Sequence, residues 1–256
     1  VKCVILAAGY ATRLRPLTSD LPKHLLPVGG RPMLEWVLDR VRELQEVDGI
    51  HLVTNSRFAP DFAEWAEPRG IRVYDDGTTS NDDRLGAVGD LRLVVEEAGL
   101  GDEDLLVLAG DNLFELSLAR FAEWWRSKPQ PASAVPLHDV GDLELATQYG
   151  IAAIDPEGRI VEFVEKPSEP PSTLASTLIY LLPPEHVALV AEYLKAGESP
   201  DNAGSFLGWL AGRERVYGYR FEGPWYDIGN HDQLLEADNR LRREAGLPER
   251  DSYSLP

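Results

Sequence analysis

Cysteine is almost absent from these 256 residues. Cys3 stands alone, so no intrachain disulfide can form. It lies in the run Val1-Lys2-Cys3-Val4-Ile5-Leu6, where a small buried side chain is expected. Long apolar runs are also missing. The longest, such as Leu105 to Ala109, are strand-sized and too short to cross a bilayer. The N-terminal run lacks the basic, apolar and small-residue zones of a secretion signal. Together these absences predict a cytoplasmic protein with no membrane partner. Lysine is scarce, occurring only at Lys2, Lys23, Lys128, Lys166 and Lys195. With 25 basic against 43 acidic residues the net charge is -18. That balance excludes a broad basic face for nucleic acid, though a nucleotide needs only a few cations at one spot. The acidic surplus is expected to be solvated surface. No G-x-G-x-x-G follows the first apolar run, and no G-x-x-x-x-G-K-[ST] occurs anywhere. A dinucleotide-dependent dehydrogenase and a P-loop NTPase are therefore disfavoured. His51, His138, His186 and His231 are scattered, with no nucleophile triad and no Cys/His metal cluster. Repeats, low-complexity tracts and linkers are lacking too.

What is present alternates between strand and helix. Val4 to Ala7 reads as a buried strand, followed by a polar loop to Gly30. Pro32 suits the first residue of a helix. Met33, Trp36, Val37, Val41 and Leu44 then recur at helical spacing. Strands are predicted at Ile50 to Thr54, Ile71 to Tyr74 and Leu105 to Ala109. Helices are predicted at Phe58 to Trp65 and Gly86 to Ala98. This βαβαβ rhythm predicts an α/β fold with a mostly parallel sheet covered by helices. In the second half, Ala132 to Leu137 could be a strand. Ile151 to Ile154 and Arg159 to Val164 flank the turn Asp155-Pro156-Glu157-Gly158, predicting a hairpin. Leu174 to Leu182 reads as one strand and Val216 to Phe221 as another. Helices follow at Glu185 to Leu194, at Ala203 to Ala211 behind the capping residues Asp201 and Asn202, and at His231 to Glu244. The expectation is a single α/β domain over 1–256 with an antiparallel insertion.

The most informative stretch is Leu6-Ala7-Ala8-Gly9-Tyr10-Ala11-Thr12-Arg13-Leu14-Arg15-Pro16-Leu17-Thr18, continuing Pro22-Lys23-His24-Leu25-Leu26-Pro27-Val28. A strand ends in small residues, so a ligand can approach the backbone of Leu6, Ala8 and Gly9 closely. Backbone N–H groups with Arg13 and Lys23 would then form a polyphosphate cradle. Ligands in open α/β sheets sit beyond the carboxyl ends of the strands, where this loop begins. Gly110-Asp111-Asn112 directly follows the strand at Leu105 to Ala109. Trp225-Tyr226-Asp227-Ile228-Gly229-Asn230 follows the strand at Val216 to Phe221. Taken singly, Asp111 and Asp227 read equally well as turn or helix-capping aspartates. Glu165-Lys166-Pro167 by itself reads equally as a surface ion pair beside a turn.

The first stretch resembles the signature of the sugar nucleotidyltransferase family, L-A-A-G-x-G-T-R-L-x-P-x-T followed by P-K-x-L-x-P-V, and is most similar to glucose-1-phosphate thymidylyl- and uridylyltransferases. The resemblance covers nearly the whole chain. It implies a Rossmann-like mixed, mostly parallel sheet with an antiparallel sugar-binding insertion, mainly nucleotide-binding over 1–130 and mainly sugar-binding over 131–235, with a C-terminal helix and tail over 236–256. It implies that Asp111 and Asp227 together hold Mg2+, that Glu165 accepts from sugar hydroxyls, and that Lys166 contacts the sugar's phosphate. Tyr149-Gly150 resembles the family's Y-G pair, whose glycine admits a sugar hydroxyl. Gly86 aligns with a family glycine at the base. Asn81 falls where thymidylyltransferases carry a glutamine that reads the pyrimidine, and an amide both donates and accepts. Three residues depart from the pattern. Ala11 replaces glycine, which is harmless where φ is negative. His24 replaces glutamine or proline and is expected to be a loop histidine near solvent. Leu178 replaces a glycine near the sugar and puts the identity of the sugar in doubt. The extra C-terminal helical segment of some thymidylyltransferases is short or missing.

The implied reaction transfers a nucleoside monophosphate from dTTP or UTP to glucose 1-phosphate or a related sugar 1-phosphate, releasing pyrophosphate. Arg13 and Lys23 would stabilise the reacting phosphates. The alternatives are another phosphorylated alcohol as acceptor, such as phosphocholine, and a non-catalytic nucleotide-binding regulatory module. The partners implied are a nucleoside triphosphate and a sugar phosphate, with self-association left open.

Overall fold

The computed structural model describes residues 1–255. Its elements in chain order are β1 (Lys2–Leu6), β2 (Pro27–Val28), β3 (Arg31–Pro32), α1 (Met33–Glu43), β4 (Gly49–Thr54), α2 (Ala59–Ala66), β5 (Arg72–Asp75), α3 (Ala87–Ala98), β6 (Leu105–Ala109), β7 (Asn112–Phe114) and α4 (Leu118–Arg126). There follow β8 (Ser133–Asp139), α5 (Leu143–Ala146), β9 (Gly150–Ile154), β10 (Ile160–Glu165), β11 (Leu174–Ser176), β12 (Ile179–Leu182), α6 (Pro184–Lys195), α7 (Ala203–Ala211), β13 (Val216–Phe221), β14 (Trp225–Asp227) and α8 (His231–Glu244).

One mixed sheet runs β10-β9-β11-β8-β12-β6-β1-β4-β5, with β13 paired to β8. Strands β6, β1, β4 and β5 are mutually parallel, so their carboxyl ends share one rim. Beyond β6 the sheet turns antiparallel through β12, β8, β11, β9 and β10. β13 alone returns parallel to β8. Strand β6 is apolar throughout, and β1 beyond Lys2, because both faces are covered. Along β1, Cys3 and Ile5 pack into one core while Val4 and Leu6 pack into the other. Along β6, Leu106 and Leu108 join the first and Leu105 and Val107 the second. The helices cover these faces with their own apolar stripes, such as Met33, Leu34, Val37, Leu38 and Val41 of α1. No helix among the described residues is long and apolar enough to cross a membrane.

Several predicted elements need correction. Pro32 precedes α1 as its cap residue rather than opening the helix. The predicted strand Leu174 to Leu182 is two strands, since the chain changes partners at Thr177-Leu178. β11 pairs with β8 and β9, whereas β12 pairs with β6 and β8. Helix α4 has no counterpart in the predicted elements. It is capped at its N-terminus by Ser117, whose side chain accepts from the Arg120 N–H, and buries Leu118, Phe121, Ala122 and Trp125. Asn202 occupies the α7 cap position without a capping side-chain bond, and Asp201 instead accepts two of the three guanidinium hydrogen bonds of Arg84.

Candidate active site

Two adjoining cavities of about 600 and 300 Å³ open along the carboxyl rim of the parallel strands. Arg13, Asp111, Leu178 and Asn202 line both. The larger is lined also by Leu6, Ala8, Gly9, Lys23, Asn81 and Gly86. The smaller is lined by Gly150, Glu165, Lys166 and Asp227. Every residue singled out in the sequence thus lies on one continuous depression, though the segments span positions 6 to 227.

The loop after β1 is held in shape by its own neighbours. Asn55 Nδ2 donates to the Ala8 carbonyl at 2.8 Å, and Asn55 Oδ1 accepts from the Phe58 N–H. Thr18 Oγ1 donates to the Ala11 carbonyl. A Cβ added at Gly9 would meet nothing within 4 Å, so the open side of the loop faces empty space. Ala11 has φ +45, in the left-handed region. The condition under which alanine replaces glycine without cost is therefore not met.

Asp111 and Asp227 come from different strands but meet across a short ribbon. Asp227 is in register with Asn112 on the antiparallel pair β14–β7, and the Ile228 N–H donates to the Asp111 carbonyl. Neither aspartate caps a helix, because Asp111 leads into β7 and Asn230 caps α8. Lys23 Nζ lies 2.5 Å from Asp111 Oδ2, and Asn112 Nδ2 donates to Oδ1. Trp225 Nε1 donates to Asn112 Oδ1 and so braces this pair. Burial would raise the Asp111 carboxyl, but the Lys23 charge and hydrogen bond outweigh it and hold the group well below the usual range. Asp227 is pushed up to about 6, first by burial and then by facing Asp111, against the pull of Lys23, Arg13 and Lys166. Two partly buried carboxylates that repel one another in this way suit a divalent cation. Each Asp111 oxygen retains a lone pair beyond its present bond. Among the described residues no group of three or more His, Cys, Asp and Glu side chains could hold a metal. Two carboxylates completed by substrate phosphates is a donor set typical of Mg2+.

In the smaller cavity, Glu165 is wedged between Gly150 and Gly204. A Cβ at Gly150 would lie 2.7 Å from Glu165 Oε2, and one at Gly204 only 2.1 Å away. The space that Gly150 leaves is thus filled by Glu165 and Phe163. Burial raises the Glu165 carboxyl, and Lys166 lowers it in part. Lys166 itself takes φ +46, and its N–H donates to the Tyr149 carbonyl. Gly86 has φ +81, and its missing Cβ accommodates the Pro200 carbonyl, 2.5 Å from where a Cβ would sit.

Other residues of this depression were misread or not read from the sequence. His24 is buried, not near solvent. Its Cδ2 would be 2.9 Å from a Cβ at Gly110, and its ring is pushed down to about 4 by burial. Tyr10 Oη pairs with Thr78 Oγ1 at 2.9 Å. Asp76 and Asp90 line the larger cavity, both buried. Only Asp90 carried a hint, as an acidic residue on the inner face of a helix predicted to be apolar.

The nucleotidyl transferase family model matches residues 2–244. A UTP–glucose-1-phosphate uridylyltransferase, AglF of Haloferax volcanii, is 30% identical over 246 residues, covering 95% of this chain and 98% of that protein. A UTP–glucose-1-phosphate uridylyltransferase of Synechocystis is 30% identical over 249 residues, covering 93% of this chain but only 62% of the longer relative. A structure described as a glucose-1-phosphate thymidylyltransferase of Bacillus anthracis, in complex with sucrose, superposes with a TM-score of 0.81. It is 27% identical, over 94% of this chain and 95% of that one.

Proposed function

The chain belongs to the nucleotidyl transferase family, and on that basis we propose that it transfers a nucleoside monophosphate from UTP or dTTP to glucose 1-phosphate. Pyrophosphate leaves and a nucleoside-diphosphate sugar forms. The carrying observation is the convergence of Arg13, Lys23 and Lys166 with Asp111 and Asp227 where the two cavities join. The triphosphate lies in the larger cavity, its base against the backbone of Leu6, Ala8, Gly9 and Gly86 and beside Asn81. The sugar phosphate lies in the smaller, between Lys166 and Glu165, with Gly150 admitting the Glu165 carboxylate.

The acceptor's phosphate monoester is already ionised at neutral pH, so no general base is needed. Catalysis is positioning and charge neutralisation. Lys166 holds the attacking phosphate in line. Arg13, set beside Gly229, and Lys23 stabilise charge on the α-phosphate and on the leaving pyrophosphate. Asp111 and Asp227 would hold Mg2+, which when bound supplies positive charge at the α-phosphate.

Pyrophosphate release with Mg2+, glucose 1-phosphate and each nucleoside triphosphate in turn tests this reading. Release with UTP or dTTP that requires the sugar phosphate is expected. Silence with every triphosphate would overturn it. One observation favours a second acceptor: Tyr149, Phe163, Tyr180 and Trp225 line the smaller cavity together with Glu165, a setting that also suits a quaternary ammonium. Phosphocholine in the same assay decides between the two.

A further inference from the structure

Asp76 and Asp90 form a buried acidic pair that the reaction described above does not use. Asp76 directly follows β5, and Asp90 stands in the first turn of α3. Both are more than nine-tenths buried, and both line the larger cavity with Gly9, Tyr10 and Asn81. Asp76 Oδ1 accepts the Thr78 N–H at 2.7 Å. The two carboxyl groups lie close enough that Asp76, after burial, helps to raise the Asp90 carboxyl. No Lys or Arg forms a salt bridge with either among the described residues. Two carboxylates are acceptors only, so neither satisfies the other without a proton. Asp90 Oδ1 is nonetheless left without any hydrogen-bond partner. A buried acceptor without a donor costs free energy unless something supplies one. Strand order separates Asp76 from Asp111. From β6 the rim passes β1 and β4 to β5, three spacings of ~4.8 Å each, or roughly 14 Å. The pair therefore belongs to the end of the cavity away from the phosphates, where the base would lie.

We propose that Asp90, backed by Asp76, reads the nucleobase by accepting the imide N–H of a uracil- or thymine-type ring at its free Oδ1. The inference rests on the nucleotide reading given above. Uracil and thymine carry a proton on N3. Cytosine carries a lone pair there, which would face an acceptor. The site thereby separates UTP and dTTP from CTP.

The test compares wild type, Asp90→Asn and Asp90→Ala with UTP, CTP and 3-methyl-UTP, which lacks the N3 proton. Asparagine keeps an acceptor oxygen and offers an N–H to Asp76, so Asp90→Asn should bind UTP within about threefold of wild type. Asp90→Ala should raise the KM for UTP about tenfold, the scale of one hydrogen bond. It should also narrow the preference for UTP over CTP and leave the KM for sugar phosphate unchanged. Wild type should discriminate against 3-methyl-UTP, and Asp90→Ala much less. An unchanged UTP/CTP ratio in Asp90→Ala, or equal losses in the two variants, would overturn the inference. If Asp90→Ala does not fold, the wild-type preference for UTP over 3-methyl-UTP and the behaviour of Asp90→Asn still decide. Calorimetric binding of the three nucleotides without acceptor reads base selection even if no turnover is found. Failure of the proposed reaction and failure of this inference therefore remain distinguishable.

Discussion

Ala11 holds a left-handed backbone at φ +45, where a Cβ crowds the following carbonyl at a cost of about 1 kcal/mol. Ala11→Gly should therefore raise stability by about 0.5–1 kcal/mol, read as a higher urea midpoint with turnover unchanged. Asp111 and Lys23 are a different case, because each keeps the other's charge compensated. Asp111→Asn should lower kcat about 100-fold while leaving the fold intact by circular dichroism, whereas a binding module would lose little. Asp90 makes a prediction about pH. Its carboxyl is pushed up to about 8 by burial and by Asp76, from an ordinary value of 3.8. A folded-state acid with a raised pKa keeps its proton while the unfolded chain releases one. Stability from this group is full below about pH 4 and falls as pH rises toward 8. Urea midpoints measured from pH 5 to 8 should fall less steeply in Asp90→Asn than in wild type.

At the scale of elements, α7 and the β9–β10 hairpin close around Glu165. Gly204 in the first turn of α7 leaves room for Glu165 Oε2, which would be 2.1 Å from an added Cβ. Gly204→Ala should displace Glu165 and raise the KM for sugar phosphate severalfold while leaving that for the nucleotide unchanged. A matching rise in both would show that the helix is not specific to the acceptor side. The long periodic elements were legible from sequence: α7, α8, β6 and β13 have the predicted bounds. Strands β7 and β14 were not, because three residues carry no period and their pairing is nonlocal. The split at Thr177-Leu178 was equally hidden, since a continuous apolar run says nothing about which neighbours it pairs with. Helix α4 has an apolar stripe and a serine cap, signals that could have identified it.

At the scale of the whole molecule, a net charge of -18 is spread over a chain that must bind polyanionic substrates. Self-repulsion of this size disfavours the compact state, and salt screens it. The melting temperature should rise as NaCl is raised from near zero to about 0.5 M, where the Debye length falls to a few ångströms. A fall would mean that screened ion pairs, such as Arg31–Asp39 and Arg240–Glu115, outweigh the repulsion.

The sequence by itself determined the alternation of buried strands and amphipathic helices, because apolar period is a local property. It also singled out the loop after β1 as one suited to phosphates, because small residues, an arginine and a lysine lie within one short stretch. Asp111 and Asp227 could be singled out by their motifs, yet each alone was an equally good turn residue. Only the tertiary structure decided that they face one another, since their meeting depends on a ribbon between segments more than 100 positions apart. The same holds for His24, Asp76 and Asp90. Their burial, and the free oxygen on Asp90, follow from how β5, α3 and the loop after β1 pack around one cavity, and no local pattern encodes that packing.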